Sequence, residues 1–205
     1  PAALVSYEKV NRTNLASPAT FFSAAKTMEL MNADPKAVLA VMDSCVAHCP
    51  QPISADNAPY VLERAQMNMN AGEYRSAMLD YDTYFKAVDG QVNDVFYYYR
   101  EQAEFKARQY QRALDDIAKA IELNPKELTY RAEQAVINLR VGRYEEALKV
   151  LDEVLAIDPK YAEAYRLKGI CLIQLKKQEE ACANFAKAKE LGDANVDELI
   201  KKHCK

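Results

Sequence analysis

The sequence predicts an all-α solenoid of antiparallel helix pairs, and three observations carry that prediction. The first is a recurrence: Gly142–Pro159, GRYEEALKVLDEVLAIDP, answers Arg108–Pro125, RQYQRALDDIAKAIELNP. Tyr144 stands over Tyr110, Ala147 over Ala113 and Pro159 over Pro125, each offset being 34 residues (144−110, 147−113, 159−125). A fixed period of this length marks stacked supersecondary units, each burying its apolar face only against its neighbours. The second observation is punctuation, with Gly142 before one helical stretch and Pro159 after it. The third is periodicity: Leu148, Leu151 and Leu155, with Val150 and Val154, form a broad apolar stripe at helical spacing.

Each repeated residue has a physical reason. Gly142 ends the first helix of a pair, where a left-handed backbone suits a residue without Cβ. Tyr144 opens the second helix and covers the turn. Ala147 is small because the two helices cross closely there, and a larger side chain would overpack the crossing by about 1–3 kcal/mol. Pro159 cannot continue the helix and pushes Asp158 out of helical geometry.

The motif Gly-x-Tyr-x-x-Ala, with Leu151, Val154 and Pro159 following in step, resembles the tetratricopeptide repeat. The first-helix signature of that family is matched by Tyr165, Gly169 and Leu172, while Lys168 departs from the usual Leu. The resemblance implies a right-handed superhelix of about five repeats, with the first helix of each pair lining a concave groove where partners bind.

On this frame the chain is one solenoid domain over residues 1–205. Residues 1–18 read as an orphan N-terminal helix, since Ala3, Tyr7 and Val10 have the spacing of a second helix. Pro1 in place of Met leaves open a boundary cut from a longer chain or a processed N-terminus. Repeat one, 19–57, is degenerate: Asp34-Pro35 replaces Gly-x-Tyr, Asp as N-cap and Pro at the first helical position, and a second helix runs from Ala37 to Ala47. Repeat two, 58–93, has Tyr84 at a small-residue position and stops on Asp89-Gly90. Repeats three (94–127), four (128–161) and five (162–195) follow, with Arg108 and Lys176 standing near turns where Gly is usual. Val196–Lys205 closes the stack as a short polar capping helix.

Composition excludes several functions. The 205 residues carry 27 Lys and Arg against 30 Asp and Glu, a net charge of −3 without basic clusters, which argues against nucleic acid as the partner. No run of eighteen apolar residues exists, so no membrane span is expected. Five Cys at these spacings demand no disulfide framework, and Cys182 and Cys204 have no assigned role. Cys45, His48 and Cys49 make the sharpest chemical cluster, and three soft ligands of this kind could hold zinc. Cys45 and Cys171 nevertheless stand where the repeat wants a small buried side chain, and a free Cys packs as a small hydrophobe. They are therefore expected to be buried, unreactive thiols. Paired acids such as Glu145-Glu146 lie at a helix start and complement its dipole. No nucleophile–base pair, phosphate loop, metal site or cofactor site is found.

Carrying the family's groove positions onto this sequence assigns the partner surface to Leu62, Gln66, Met69 and Asn70 in repeat two and to Tyr98, Gln102, Phe105 and Lys106 in repeat three. Repeat four supplies Ala132, Val136, Leu139 and Arg140, and repeat five Arg166, Ile170, Ile173 and Gln174. Spacings of i, i+4 and i+7 place each row on one helix face. In the run Phe96-Tyr97-Tyr98-Tyr99 a turn of about 100° per residue prevents all four rings from facing one core. Tyr97 is assigned to the core and Tyr98 to the groove. Some members of this family grip chaperone C-terminal carboxylates with Lys, Asn and Arg. Here Leu62, Gln66, Tyr98, Gln102, Tyr99 and Glu133 occupy clamp positions, so that mode is not expected. The sequence thus reads as a non-catalytic interaction module for a protein or peptide. The alternatives are a structural, self-associating repeat domain and, further off, a redox or metal protein using Cys45 and Cys49.

Overall fold

The computed structural model describes residues 17–204. Among these, eleven α-helices and no strand are found: α1 Pro18–Leu30, α2 Pro35–Ala47, α3 Ala58–Ala71, α4 Tyr74–Ala87, α5 Asp94–Lys106, α6 Tyr110–Leu123, α7 Leu128–Arg140, α8 Tyr144–Ile157, α9 Ala162–Gln174, α10 Gln178–Glu190 and α11 Asp197–His203. The all-α reading therefore holds over the described residues. Of the orphan helix expected over residues 1–18, residues 1–16 lie outside them, and Ser17 and Pro18 are the N-cap and first residue of α1.

Backbone chemistry at the turns explains why the chain breaks where it does. After α7, Gly142 adopts φ +80°, its N–H donates to the Leu139 carbonyl at 3.2 Å, and the Arg143 N–H donates to Asn138 at 2.8 Å. This paired pattern satisfies carbonyls that the helix end would otherwise leave unbonded. Lys176 repeats it after α9 without being glycine: φ is +61°, and the N–H groups of Lys176 and Lys177 bond Ile173 and Leu172. Arg108 is likewise left-handed at φ +62°. Each non-glycine here carries strain of roughly 1 kcal/mol. At the other end of a pair, Asp158 leaves helical geometry at φ −127°, ψ 95° ahead of Pro159, and Asn124 does so ahead of Pro125. In repeat one, α1 is capped by the Ser17 hydroxyl, which accepts from the Thr20 N–H. Asp34 sits at the N-cap of α2 without using its side chain, and α2 begins at Pro35 instead of Ala37.

The chain forms two compact units, one comprising the residues up to Val92 with Gln102–Arg108, the other Asn93–Glu101 with the residues from Gln109 onward. In the first, Phe21, Ala25 and Met28 of α1 pack with Val38, Val41, Met42 and Cys45 of α2. A second cluster joins Ala65, Ala77, Tyr81 and Ala103. In the second unit, Ala135 of α7, Ala147, Leu151 and Val154 of α8 and Ala164, Leu167 and Cys171 of α9 form one core. Ala77, Ala113, Ala147 and Ala181 occupy equivalent positions and are all fully buried, as the close helix crossing requires. Each fully buried Leu or Phe contributes about 1.5–3 kcal/mol.

Candidate partner-binding surface

The assigned groove residues divide between the two units. In the first, Leu62 and Met69 of α3 are half-buried against the Ala65–Tyr81 cluster, while Gln66 and Asn70 are exposed. Gln102 and Phe105 of α5 are half-buried and Lys106 is exposed. A cavity of about 270 Å³ opens between the α1–α2 turn and the end of α3, lined by Val38, Met67 and Asn70 among others. Leu30, 86% exposed, follows Glu29 of its wall.

In the second unit, Val136 and Leu139 of α7 and Ile170 of α9 are brought together as half-buried shoulders on a single core, and Arg140 projects exposed beside them. Arg166 is placed differently. Its Nε donates to Asp193 Oδ2 at 2.7 Å and a terminal nitrogen to Glu163 at 2.6 Å, so two acids already counter its charge. Tyr98 is half-buried, with its ring centroid 5.1 Å from that of Tyr130. The Tyr130 hydroxyl donates to Asp94 Oδ2 at 2.9 Å, and Asn124 donates to the same oxygen at 3.0 Å. The hydrogen bonds from Asn124 and Tyr130 hold the Asp94 carboxyl below the usual range. Burial and the adjacent Asp94 push the Tyr130 phenol up. Tyr97, assigned to the core, is only half-buried, and the Arg100 guanidinium lies 6.0 Å from its ring centroid.

Several polar features escaped the sequence reading. Arg64 grips Asp80 with two bonds, Nε to Oδ2 at 3.0 Å and a terminal nitrogen to Oδ1 at 2.6 Å. Asn68 also donates to Asp80, and Arg64 reaches Asp43. Burial raises the Asp80 carboxyl, with Arg64 and Asn68 pulling the other way. Arg100 and Asp116 repeat the paired geometry at 2.6 and 2.8 Å. Both pairs are 16 residues apart in sequence, and that recurrence is the signal by which they could have been found. Glu101 and Glu104 are buried acids that no periodicity argument singled out.

Among the cysteines, Cys45 is fully buried, its thiol donates to the Pro18 carbonyl, and burial pushes its pKa up to about 11. Cys171 is buried and shifted to about 11 in the same way. Cys49 donates to the Cys45 carbonyl, and His48 is hydrogen-bonded to the Ser44 carbonyl, its ring centroid 4.6 Å from that of Phe21 and its plane tilted by 42°. Cys182 and Cys204, left without a role, are joined in a disulfide.

Two family models described as tetratricopeptide repeat match residues 102–162 and 138–192. Residues 102–192 carry tetratricopeptide repeats. Among curated relatives, small glutamine-rich tetratricopeptide repeat-containing protein 2 of Mycosarcoma maydis is 31% identical over 96 residues, 47% of this chain and 27% of that protein. The chain thus spans about a quarter of that relative's length. Among solved structures, YrrB, a tetratricopeptide-repeat protein with an unusual peptide-binding site, superposes with a TM-score of 0.69 at 20% identity, over 98% of each chain. MamA gives 0.68 at 18% identity, over 92% of this chain and 96% of that one. At these identities the solved structures establish the fold.

Proposed function

We propose that this chain is a non-catalytic interaction module whose first-helix faces hold a segment of a protein partner. The observation that carries this reading is the recurring exposure pattern within each unit. Half-buried apolar side chains (Leu62 and Met69; Val136, Leu139 and Ile170) alternate with exposed polar ones (Gln66 and Asn70; Arg140 and Gln174) along the same helix face. Such a face presents apolar surface at low entropic cost because its residues are already seated on a core. Peptide binding by YrrB, which shares the fold, supports the reading. The fitting ligand is an extended or helical peptide with two or three apolar side chains. In the second unit a carboxylate would lie near Arg140, since Arg166 is already countered by Asp193 and Glu163.

Central aromatic anchors typically cost about 2 kcal/mol when truncated, which is roughly thirtyfold in affinity. Tyr98→Ala is therefore expected to weaken binding of a partner recovered from native extract by about thirtyfold. Losing its contact with Tyr130 costs about 0.5–1.5 kcal/mol of stability. Arg140→Ala is expected to have a smaller, salt-sensitive effect, as rim charges do. Titration of the purified partner, with melting curves of each variant, checks both. A sharp fall in melting temperature with unchanged affinity for Tyr98→Ala would make Tyr98 a core residue and move the binding surface elsewhere.

A further inference from the structure

We propose that the Cys182–Cys204 disulfide is a redox latch holding α11 as a lid over the apolar end of the last repeat. Val196, fully buried, and half-buried Leu199 and Ile200 close over Leu172, Ala181, Phe185 and Ala188. The outer side of the lid is polar, with Asp197, Glu198, Lys201 and Lys202 exposed. A helix of seven residues has little stability of its own. Apart from its few apolar contacts, α11 is tied down by a hydrogen bond from Gln178 to the His203 carbonyl at 2.6 Å and by the disulfide, whose Cα atoms are 5.6 Å apart. The Lys189–Asp197 pair joins two exposed side chains and adds little.

Reactivity is confined to this bond. Cys182 and Cys204 are only half-buried, whereas Cys45, Cys49 and Cys171 are buried. A dithiol reductant opens the latch in two steps. Its thiolate attacks one sulfur, the Cys182–Cys204 bond breaks and a mixed disulfide forms. The second thiol of the reductant then displaces the protein sulfur. The products are two protein thiols and the reductant's disulfide, with two electrons and two protons transferred to the protein. With α10 still folded, the bond closes a loop of about 14 residues from the end of α10 to Cys204, and freeing it makes local opening roughly a hundredfold more favourable.

Hydrogen exchange on the full chain tests this, comparing oxidised protein, protein treated with dithiothreitol, and the Cys182→Ser/Cys204→Ser variant. The expected result is amides of Asp197–His203 exchanging about a hundredfold faster in both latch-free states, with those of α9 and α10 changing less than about tenfold. Native alkylation after reduction labels Cys182 and Cys204 and leaves Cys45, Cys49 and Cys171 unreacted. The proposal is overturned if the α11 amides keep their oxidised rates once the bond is broken. It is equally overturned if they are already unprotected in the oxidised protein, or if α9 and α10 accelerate by the same factor, which would make the bond a staple of the whole repeat.

Discussion

Gly169→Ala is expected to destabilise the last repeat by about 2 kcal/mol, although alanine is the better helix former. Gly169 is buried in the middle of α9, and a Cβ there would stand 2.5 Å from Cδ1 and 2.9 Å from Cζ of Phe185. No real Cβ tolerates such distances, so the ring or the helix must move. The ring cannot swing into solvent: Phe185 is fully buried among Leu172, Ala181, Ala188 and Val196. Overpacking of this kind costs up to about 3 kcal/mol, against which the gain in helix propensity returns about 1 kcal/mol. Thermal and urea unfolding measure the net effect. Adding Phe185→Leu to Gly169→Ala should recover part of the loss, because neighbouring substitutions that share one space are not additive. A Gly169→Ala variant more stable than the parent would show that α9 and α10 do not pack as closely as described.

Arg64→Ala is expected to cost about 3 kcal/mol in the first unit, the lower end of the range for breaking a buried ion pair. Asp80 is 4% exposed and would keep only Asn68 as a charged-form partner. Its carboxyl is already raised by burial against the pull of Arg64, and removing the guanidinium raises it further. The sign of the pH dependence follows. An acid whose folded pKa lies above its unfolded value binds more protons when folded, so stability falls as pH rises between the two values. The deficit of Arg64→Ala should therefore be largest at neutral pH and shrink as pH falls toward the ordinary carboxylate range. Replacing both partners, as in Arg64→Met/Asp80→Leu, should restore most of the stability, because an apolar pair leaves no buried charge. A pH-independent deficit, or none, would show that the pair is not buried as a unit.

The features legible in the sequence were those set by backbone chemistry and repeat period. Gly142 had to be left-handed, Asp158 had to leave the helix ahead of Pro159, and Ala147 had to be small, and each follows from local sterics. The capping helix after Val196 followed from the need to cover the last apolar face. What stayed hidden depends on side chains meeting across repeats. Arg166 was assigned to the groove by its repeat position, which says nothing of Asp193, 27 residues further on, that takes up its charge. Tyr97 was placed in the core by elimination among four consecutive rings, yet only neighbouring helices decide how deep a ring sits. The Cys182–Cys204 pairing required knowing that α11 folds back on α10, since spacing alone cannot bring two Cα atoms within bonding range.

The claim that partners dock on the first-helix faces is tested most directly by site-specific photocrosslinking in native extract. A photoreactive phenylalanine analogue is placed in turn at Arg140 and Gln174 on that face, and at Lys149 and Ala183 on the second helices, all four positions being exposed. The mass of each adduct distinguishes a second copy of this chain from another protein. The account predicts one defined protein adduct from Arg140 and Gln174, and none from Lys149 or Ala183. Adducts confined to Lys149 and Ala183 would contradict it.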